Sequence, residues 1–432
     1  MLPKILIIST TTYRPDNQTR ATDTYFHNWP KTNLIHLYSN SAEPVKGHCS
    51  SFFQMTDFDM ISRFFNKKKK IGKIYYDSQI KSYQDSPIPA EKNVGILSIF
   101  KKRNWLRYYL RKILWSKKRW LTPELEKWVD DFMPEIIYCG ASDDFFIMEI
   151  SLFFSKKYDI PLIVTIGDDY YFEKNGFLIK PYKRKYKKLF NEIMETDGFA
   201  VYISDKITKK YNSTFKKQGF PVYLNSDINL IPYKKIVHEF NYFGNIELGR
   251  YNALAYLGDL LHSINDEYVI NIYCPKVPKR VYRLLLKHNC VINNQLPYEK
   301  VKEKMNSGAF NIVASGFKKK NIEKTRYSLS TKISDCLASS GPIIAVGPND
   351  DGAIDYLSQR KCAIIVNEQS FESLTLLKDK LNDFKYLKSL SDAAKEVYKN
   401  EHDIDKNRTL FEENCKLVVS ENLNKKNNIA NK

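Results

Sequence analysis

The chain has 432 residues, 43% of them apolar and 14% aromatic, with a formal net charge of +19. That length exceeds one ordinary hydrophobic core and implies two domains of about 200 residues each, while the apolar content excludes a disordered or low-complexity protein. Seven cysteines (Cys49, Cys139, Cys274, Cys290, Cys336, Cys362 and Cys415) are scattered without a C-x-x-C pair, so neither a zinc site nor a disulfide framework is indicated, and a reducing compartment is expected.

In chain order, Ile5-Leu6-Ile7-Ile8 is a continuous apolar run that breaks into a Ser/Thr-rich loop. It is too short for a signal-peptide core and reads as a buried parallel strand. Similar runs at 34–38, 136–140, 162–167 and 199–204 are separated in several places by helical patterns, the arrangement of a parallel sheet whose ligand loops lie at the strand C-terminal ends. The region 41–89 is irregular. No run approaches the roughly 20 apolar residues needed to span a bilayer, so a cytoplasmic protein without a membrane span is expected.

Charge is concentrated: residues 61–120 hold 17 Lys and Arg against 3 Asp and Glu, a net +14. Such a block predicts an acidic partner surface, either anionic lipid or nucleic acid, or else a solvated face. Nucleic acid is disfavoured because the block carries no recognised nucleic-acid motif. Within it, Leu106, Leu110 and Ile113 recur at helical spacing beside Arg103, Arg107 and Arg111, with Trp105, Trp115 and Trp120 nearby. One reading is a basic amphipathic helix on an anionic membrane, at the inner face of the plasma membrane; the other is a helix that packs its apolar stripe on the sheet and leaves its arginines in water. Lys183-Arg184-Lys185 and Lys187-Lys188 form a second basic cluster.

A Pro-containing stretch at 230–239 reads as a linker, and a second α/β set follows, with strands expected at 241–244, 268–273, 310–314, 343–346 and 363–366. From 386 to 419 the pattern is helical. The last helix is expected to return to the first domain, and 424–432 to lack structure. The predicted organisation is α/β, with Rossmann-like domains at 1–229 and 230–400 and a return helix with tail at 401–432.

Ser330-Thr331-Lys332-Ile333-Ser334-Asp335 opens a helix closed by Gly341-Pro342 and followed by a buried strand. Its polar residues cluster at the helix start, a place suited to an anion such as a nucleotide diphosphate. This passage resembles the nucleotide-sugar segment of GT-B glycosyltransferases, particularly family 4 of bacterial surface polysaccharide synthesis: Lys332, Asp335, Ala338 and Pro342 hold its fixed positions, while Ser340 stands where glycine is usual. Three further segments carry the resemblance: the loop through Asn17-Gln18-Thr19-Arg20, the strand and turn 161–171, and Phe243-Gly244-Asn245-Ile246-Glu247-Leu248-Gly249-Arg250.

The resemblance implies two domains facing across a cleft that closes about the linker, and transfer of a sugar from a nucleotide-diphosphate donor to a hydroxyl of a growing, lipid-carried surface glycan, without cofactor or metal. Donor contacts would come from Gly244, Arg250, Ser330, Thr331, Lys332 and Asp335, the last at the ribose. Arg suits the role because its planar donors pair with phosphate oxygens in fixed geometry. The lysine expected about five residues after Arg250 is Ala255, so Lys332 is its substitute, and Tyr327 replaces the usual sugar-contacting carboxylate, for which Glu323 is an alternative. On the acceptor side, Asn17, Thr19 and Arg20 form a polar loop that lacks the family's glycines. Asp168 and Asp169 follow a strand, where one could orient or deprotonate an acceptor hydroxyl, or one could cap the next helix. Ser142, Asp143 and Asp144 occupy a similar strand end. Retention of anomeric configuration is implied by the resemblance alone. The missing charges at 255 and 327 also fit a non-catalytic GT-B-like protein that binds glycan or a partner.

Overall fold

In a computed structural model that describes residues 1–13, 20–80, 105–173, 176–367 and 371–430, the chain divides into two units, Met1–Val222 with Asp405–Lys432, and Tyr223–Ile404. The first unit is built on eight strands: β1 (Ile5–Ser9), β2 (Leu34–Tyr38), β3 (Ser51–Gln54), β4 (Lys73–Tyr76), β5 (Ile136–Gly140), β6 (Leu162–Ile166), β7 (Ala200–Tyr202) and β8 (Gly219–Pro221). Their order is β4-β3-β2-β1-β5-β6-β7-β8. All neighbours pair in parallel except β3 and β4. Strands covered on both faces must be apolar throughout, and Ile5 to Ile8 are accordingly at most 1% exposed.

The second unit carries β9 (Val237–Phe243), β10 (Ile270–Cys274), β11 (Cys290–Asn294), β12 (Ala309–Ala314), β13 (Ile343–Val346) and β14 (Ile364–Val366). They form one sheet in the order β11-β10-β9-β12-β13-β14, parallel throughout. The glycine displaced to position 341 has a packing cause: a Cβ there would stand 1.8 Å from the Ala309 carbonyl oxygen, so only glycine lets the chain enter β13 this close to β12.

β3, β4, β8 and β11 are absent from the expectation. β3 and β4 lie within the region read as irregular, and β9 begins at Val237, inside the stretch read as linker. The tail expected to lack structure is helical: a 27-residue helix runs Ile404–Ala430. Phe411, Cys415 and Val418 on it, spaced to share one face, are buried in the first unit's core with Tyr25, Phe26, Trp29, Tyr138 and Phe199. Near its end, Lys425 meets Asp197 at 2.7 Å.

The helix Trp105–Leu114 overturns the reading that packs its apolar stripe on the sheet and leaves its arginines in water. Its charged face points inward: Arg107 is 7% exposed, while Trp105, Leu106 and Ile113 are 46%, 37% and 55% exposed. Arg107 binds both oxygens of Asp144 at 3.1 Å, and Arg111 reaches Asp144 at 2.6 Å and clamps Asp57. Tyr108 donates to Asp143 at 2.8 Å, and Trp115, buried and stacked on Phe146, donates to Asp57 at 2.7 Å. Buried charge needs paired charge, and Asp57, Asp143 and Asp144 supply it. Trp115 and Trp120, noted in the sequence beside this helix, are 1% exposed. Arg103 lies outside the described residues.

Candidate functional site

In the second unit, β9 has β10 on one side and β12 on the other, so the winding reverses between β9 and β12. Open parallel sheets bind ligands outside the strand C-termini at such a point. The residues around it are those the sequence singled out, joined by others it did not. The Lys332 ammonium donates to the Phe243 carbonyl at 2.7 Å and lies 4.0 Å from the centroid of the Tyr242 ring, which holds it at the end of β9. Gly244 follows with φ +110°, and a Cβ on it would stand 3.3 Å from that ammonium. Leu248 takes a positive φ of 55°, which turns the chain into the helix Arg250–Ile264. Arg250 sits at the helix start, half-buried, with one guanidinium N–H directed to the Asn245 carbonyl at 3.4 Å.

A cavity of about 330 Å³ opens beside this loop, lined by Leu248, Gly249, Tyr251 and Asn252 on one side and Lys318, Lys320, Asn321 and Lys324 on the other. These lysines come from the segment that follows β12 and from the helix Lys319–Thr325. Sequence reading missed them. Their signal was the run Lys318-Lys319-Lys320, separated by three residues from the end of a buried strand.

The remaining donor-side residues are placed as follows. Ser330 is half-buried and Thr331 exposed, ahead of a helix, Lys332–Ala338, of only seven residues. So short a helix adds little dipole; the cation comes from Lys332 itself. Asp335 is 7% exposed, and its Oδ1 accepts from Ser226 Oγ at 2.6 Å and from the Tyr298 hydroxyl at 3.0 Å. Those two donors tie Asp335 to the segment before β9 and to the helix Tyr298–Met305. Ala255 is buried in the core of this unit, so the helix face expected to offer a lysine points inward here.

In the first unit the winding reverses between β1 and β5. Asn17 and Thr19, in the loop after β1, lie outside the described residues, and Arg20 is described only as the first residue of the helix Arg20–Phe26. After β5, Asp143 and Asp144 are taken up by Arg107, Tyr108 and Arg111, and Tyr182 and Tyr186 donate to the carbonyls of Asp143 and Ser142. That corner is a structural lock.

The two carboxylates after β6 part company. Asp169 is buried, its Oδ1 accepting from the Tyr211 hydroxyl at 2.7 Å and the Phe172 N–H at 3.0 Å; burial, and then this carboxylate, push the Tyr211 phenol well up. Asp168 is exposed, with Tyr170 donating to it at 3.1 Å. Asp169 thus has the character of the turn-fixing residue, and Asp168 presents its carboxylate to solvent. Among the described residues no group of three or more His, Cys, Asp or Glu side chains is arranged to hold a metal ion, and no helix is long and apolar enough to cross a membrane.

No family model matches the chain, and no curated protein matches it. Solved structures do. A Staphylococcus aureus TarM variant in complex with fondaparinux, α-GlcNAc-glycerol and UDP superposes with a TM-score of 0.55 at 10% identity, over 97% of this chain and 100% of that one. Anabaena HepE in complex with UDP gives 0.58 at 10% identity, over 95% and 98%. A UDP-forming α,α-trehalose-phosphate synthase from Burkholderia vietnamiensis gives 0.52 at 9% identity, over 96% and 100%. With two parallel sheets, each reversing its winding beside its own first strand, and this likeness along nearly the whole chain, the fold is that of the GT-B glycosyltransferases.

Proposed function

We propose that this chain is a glycosyltransferase that takes a sugar from a nucleotide-diphosphate donor and passes it to a hydroxyl of a glycan acceptor. The observation that carries the reading is the gathering of Lys332, Gly244 and Arg250 at the end of β9, beside a lysine-lined cavity at the switch point. Cations fixed there before reaction would stabilise the charge that develops on a departing diphosphate, without reorganising during the step. Arg250 and Lys332 bind the diphosphate in this reading, with Lys318, Lys320 and Lys324 widening the positive field, and no metal is required. Asp168 is the acceptor-side carboxylate. The bond from the sugar's anomeric carbon to the diphosphate oxygen breaks, the acceptor oxygen bonds to that carbon, and the acceptor proton leaves to a base. Retention of configuration, and a lipid-carried surface glycan as acceptor, extend the same resemblance. UDP is the first nucleotide to test because it is bound in the TarM and HepE structures.

The test is calorimetric binding of UDP, GDP and CMP in the absence of divalent metal, with Arg250→Ala and Lys332→Ala compared. One nucleotide is expected to bind, weakened about 10- to 100-fold in each variant, as suits loss of one charge-assisted contact. The buried Ala255 and the internally bonded Asp335 favour a second reading, a GT-B-like protein that binds glycan or a partner without catalysis. Absence of binding by all three nucleotides would establish that reading over the first.

A further inference from the structure

The reversed helix leaves an unusual surface. Along Trp105–Leu114 the exposed positions include Trp105, Leu106 and Ile113, at helical spacing i, i+1 and i+8, so they share one face. That face continues into neighbouring elements. The Tyr109 hydroxyl donates to the Leu178 carbonyl at 3.2 Å, beside exposed Phe177 and Leu178. On the other side the Arg119 guanidinium covers the Phe64 ring at 4.9 Å, where Phe64 and Phe65, 45% and 80% exposed, end the helix Asp57–Phe65. Contiguous exposed apolar area rimmed by polar residues marks an interaction surface.

The rim identifies the occupant. The run Lys67 to Lys70 is exposed immediately after Phe65, and Lys117 and Lys118 are exposed just beyond Leu114. Lys185 lies close enough to Lys112 that burial, followed by Lys185, pulls the Lys112 ammonium down to about 8, with only Glu149 opposing. A second copy of the same face would set lysine against lysine. Nucleic acid would use the cations and leave the apolar stripe unburied. A layer with an apolar interior below a plane of negative charge uses both. We propose that this face of the first unit rests on an anionic lipid surface, with Trp105, Leu106, Ile113, Phe64 and Phe65 entering the acyl boundary and the flanking lysines among the headgroups. Arg107 and Arg111, turned inward, hold the stripe outward. The inference concerns a face apart from the nucleotide site and stands or falls separately from the function proposed above.

Trp105 gives a direct probe, because the other four of the five tryptophans, Trp29, Trp115, Trp120 and Trp128, are buried. The full chain is floated with vesicles of phosphatidylcholine alone and of phosphatidylcholine with phosphatidylglycerol, and its tryptophan emission is recorded in each. Flotation with the anionic vesicles only, reduced by salt and accompanied by a blue shift that Trp105→Phe abolishes, is expected. The triple variant Trp105→Ser, Leu106→Ser, Ile113→Ser should bind at least about tenfold more weakly, with circular dichroism and nucleotide binding unchanged; should it misfold, Lys117→Glu with Lys118→Glu gives the same test through charge. Equal flotation on both vesicle types, no flotation on either, or undiminished flotation of the variants would overturn the proposal. So would a concentration-dependent dimer that the triple variant dissolves, which would make the face an interface between copies.

Discussion

Asp168 and Asp169 show how neighbours of identical chemistry acquire different work from burial alone. The sequence reading left open which of them fixes the turn. The bonds from Tyr211 and Phe172 give that task to Asp169, and Asp168 keeps a solvent-facing carboxylate. Asp169→Ala should therefore cost about 1–3 kcal/mol in urea denaturation, because a buried phenol and an N–H lose their acceptor. Asp168→Ala should leave the denaturation midpoint within about 0.5 kcal/mol yet lower sugar transfer by about 100-fold or more if it serves as base. Equal effects of the two on stability would refute the division. At this scale the legible part was residue type within a motif: Arg250 was singled out by the resemblance and Lys332 by its place at a helix start, and the structure sets both near the end of β9. The internal bonds of Asp335 were not legible because its partners, Ser226 and Tyr298, lie 109 and 37 residues away in sequence, and nothing local announces them.

At the level of the element, the helix Trp105–Leu114 had a legible period and an illegible face. Helical spacing shows that two stripes exist; which one turns inward depends on what waits there. Here Asp57, Asp143 and Asp144 wait, separated from the arginines by 33 to 54 residues of chain. An arginine stripe that enters a protein must be matched nearly charge for charge, so removing one partner leaves the other buried and unpaired. Arg107→Leu should then destabilise the chain by about 3–5 kcal/mol, although it adds an apolar residue to a buried position. Adding Asp144→Asn to it should restore part of that loss, and thermal or urea denaturation of the two single variants and the double would show the coupling. A neutral Arg107→Leu would mean the inward face is held by Trp115 and Tyr108 alone. The missed strands β3, β4, β8 and β11 share a different cause. Polar residues break up Ser51-Phe52-Phe53-Gln54 and Cys290-Val291-Ile292-Asn293-Asn294, and β4, β8 and β11 stand at sheet edges, so all four lack the continuous apolar run that marked β1, β5 and β6.

For the whole molecule, the alternation of buried strand and helix was legible, because a parallel sheet demands both, and the return of the C-terminal helix to the first unit was expected and is found. Its full extent did not. Residues beyond 423 are mostly polar and read as tail, yet they continue a helix whose hold on the unit lies earlier, at Phe411, Cys415 and Val418. Once those three are buried, propagation along the same axis adds a backbone bond per residue, and Lys425 and Lys426 reach Asp197 and Asp159 as it passes. Those surface pairs are each worth little, so the anchor should be Phe411. Its ring stacks on Tyr25 at 5.0 Å and meets Phe26, Trp29, Tyr138 and Phe199 edge-on. Phe411→Ala should cost about 3–5 kcal/mol through lost transfer energy and the cavity left behind, and hydrogen exchange in β1 and β5, which pack on that cluster, should accelerate. Lys425→Ala should change stability by less than about 1 kcal/mol. The reverse ranking would show that the helix is held at its far end, and that its polar stretch contributes more than propagation.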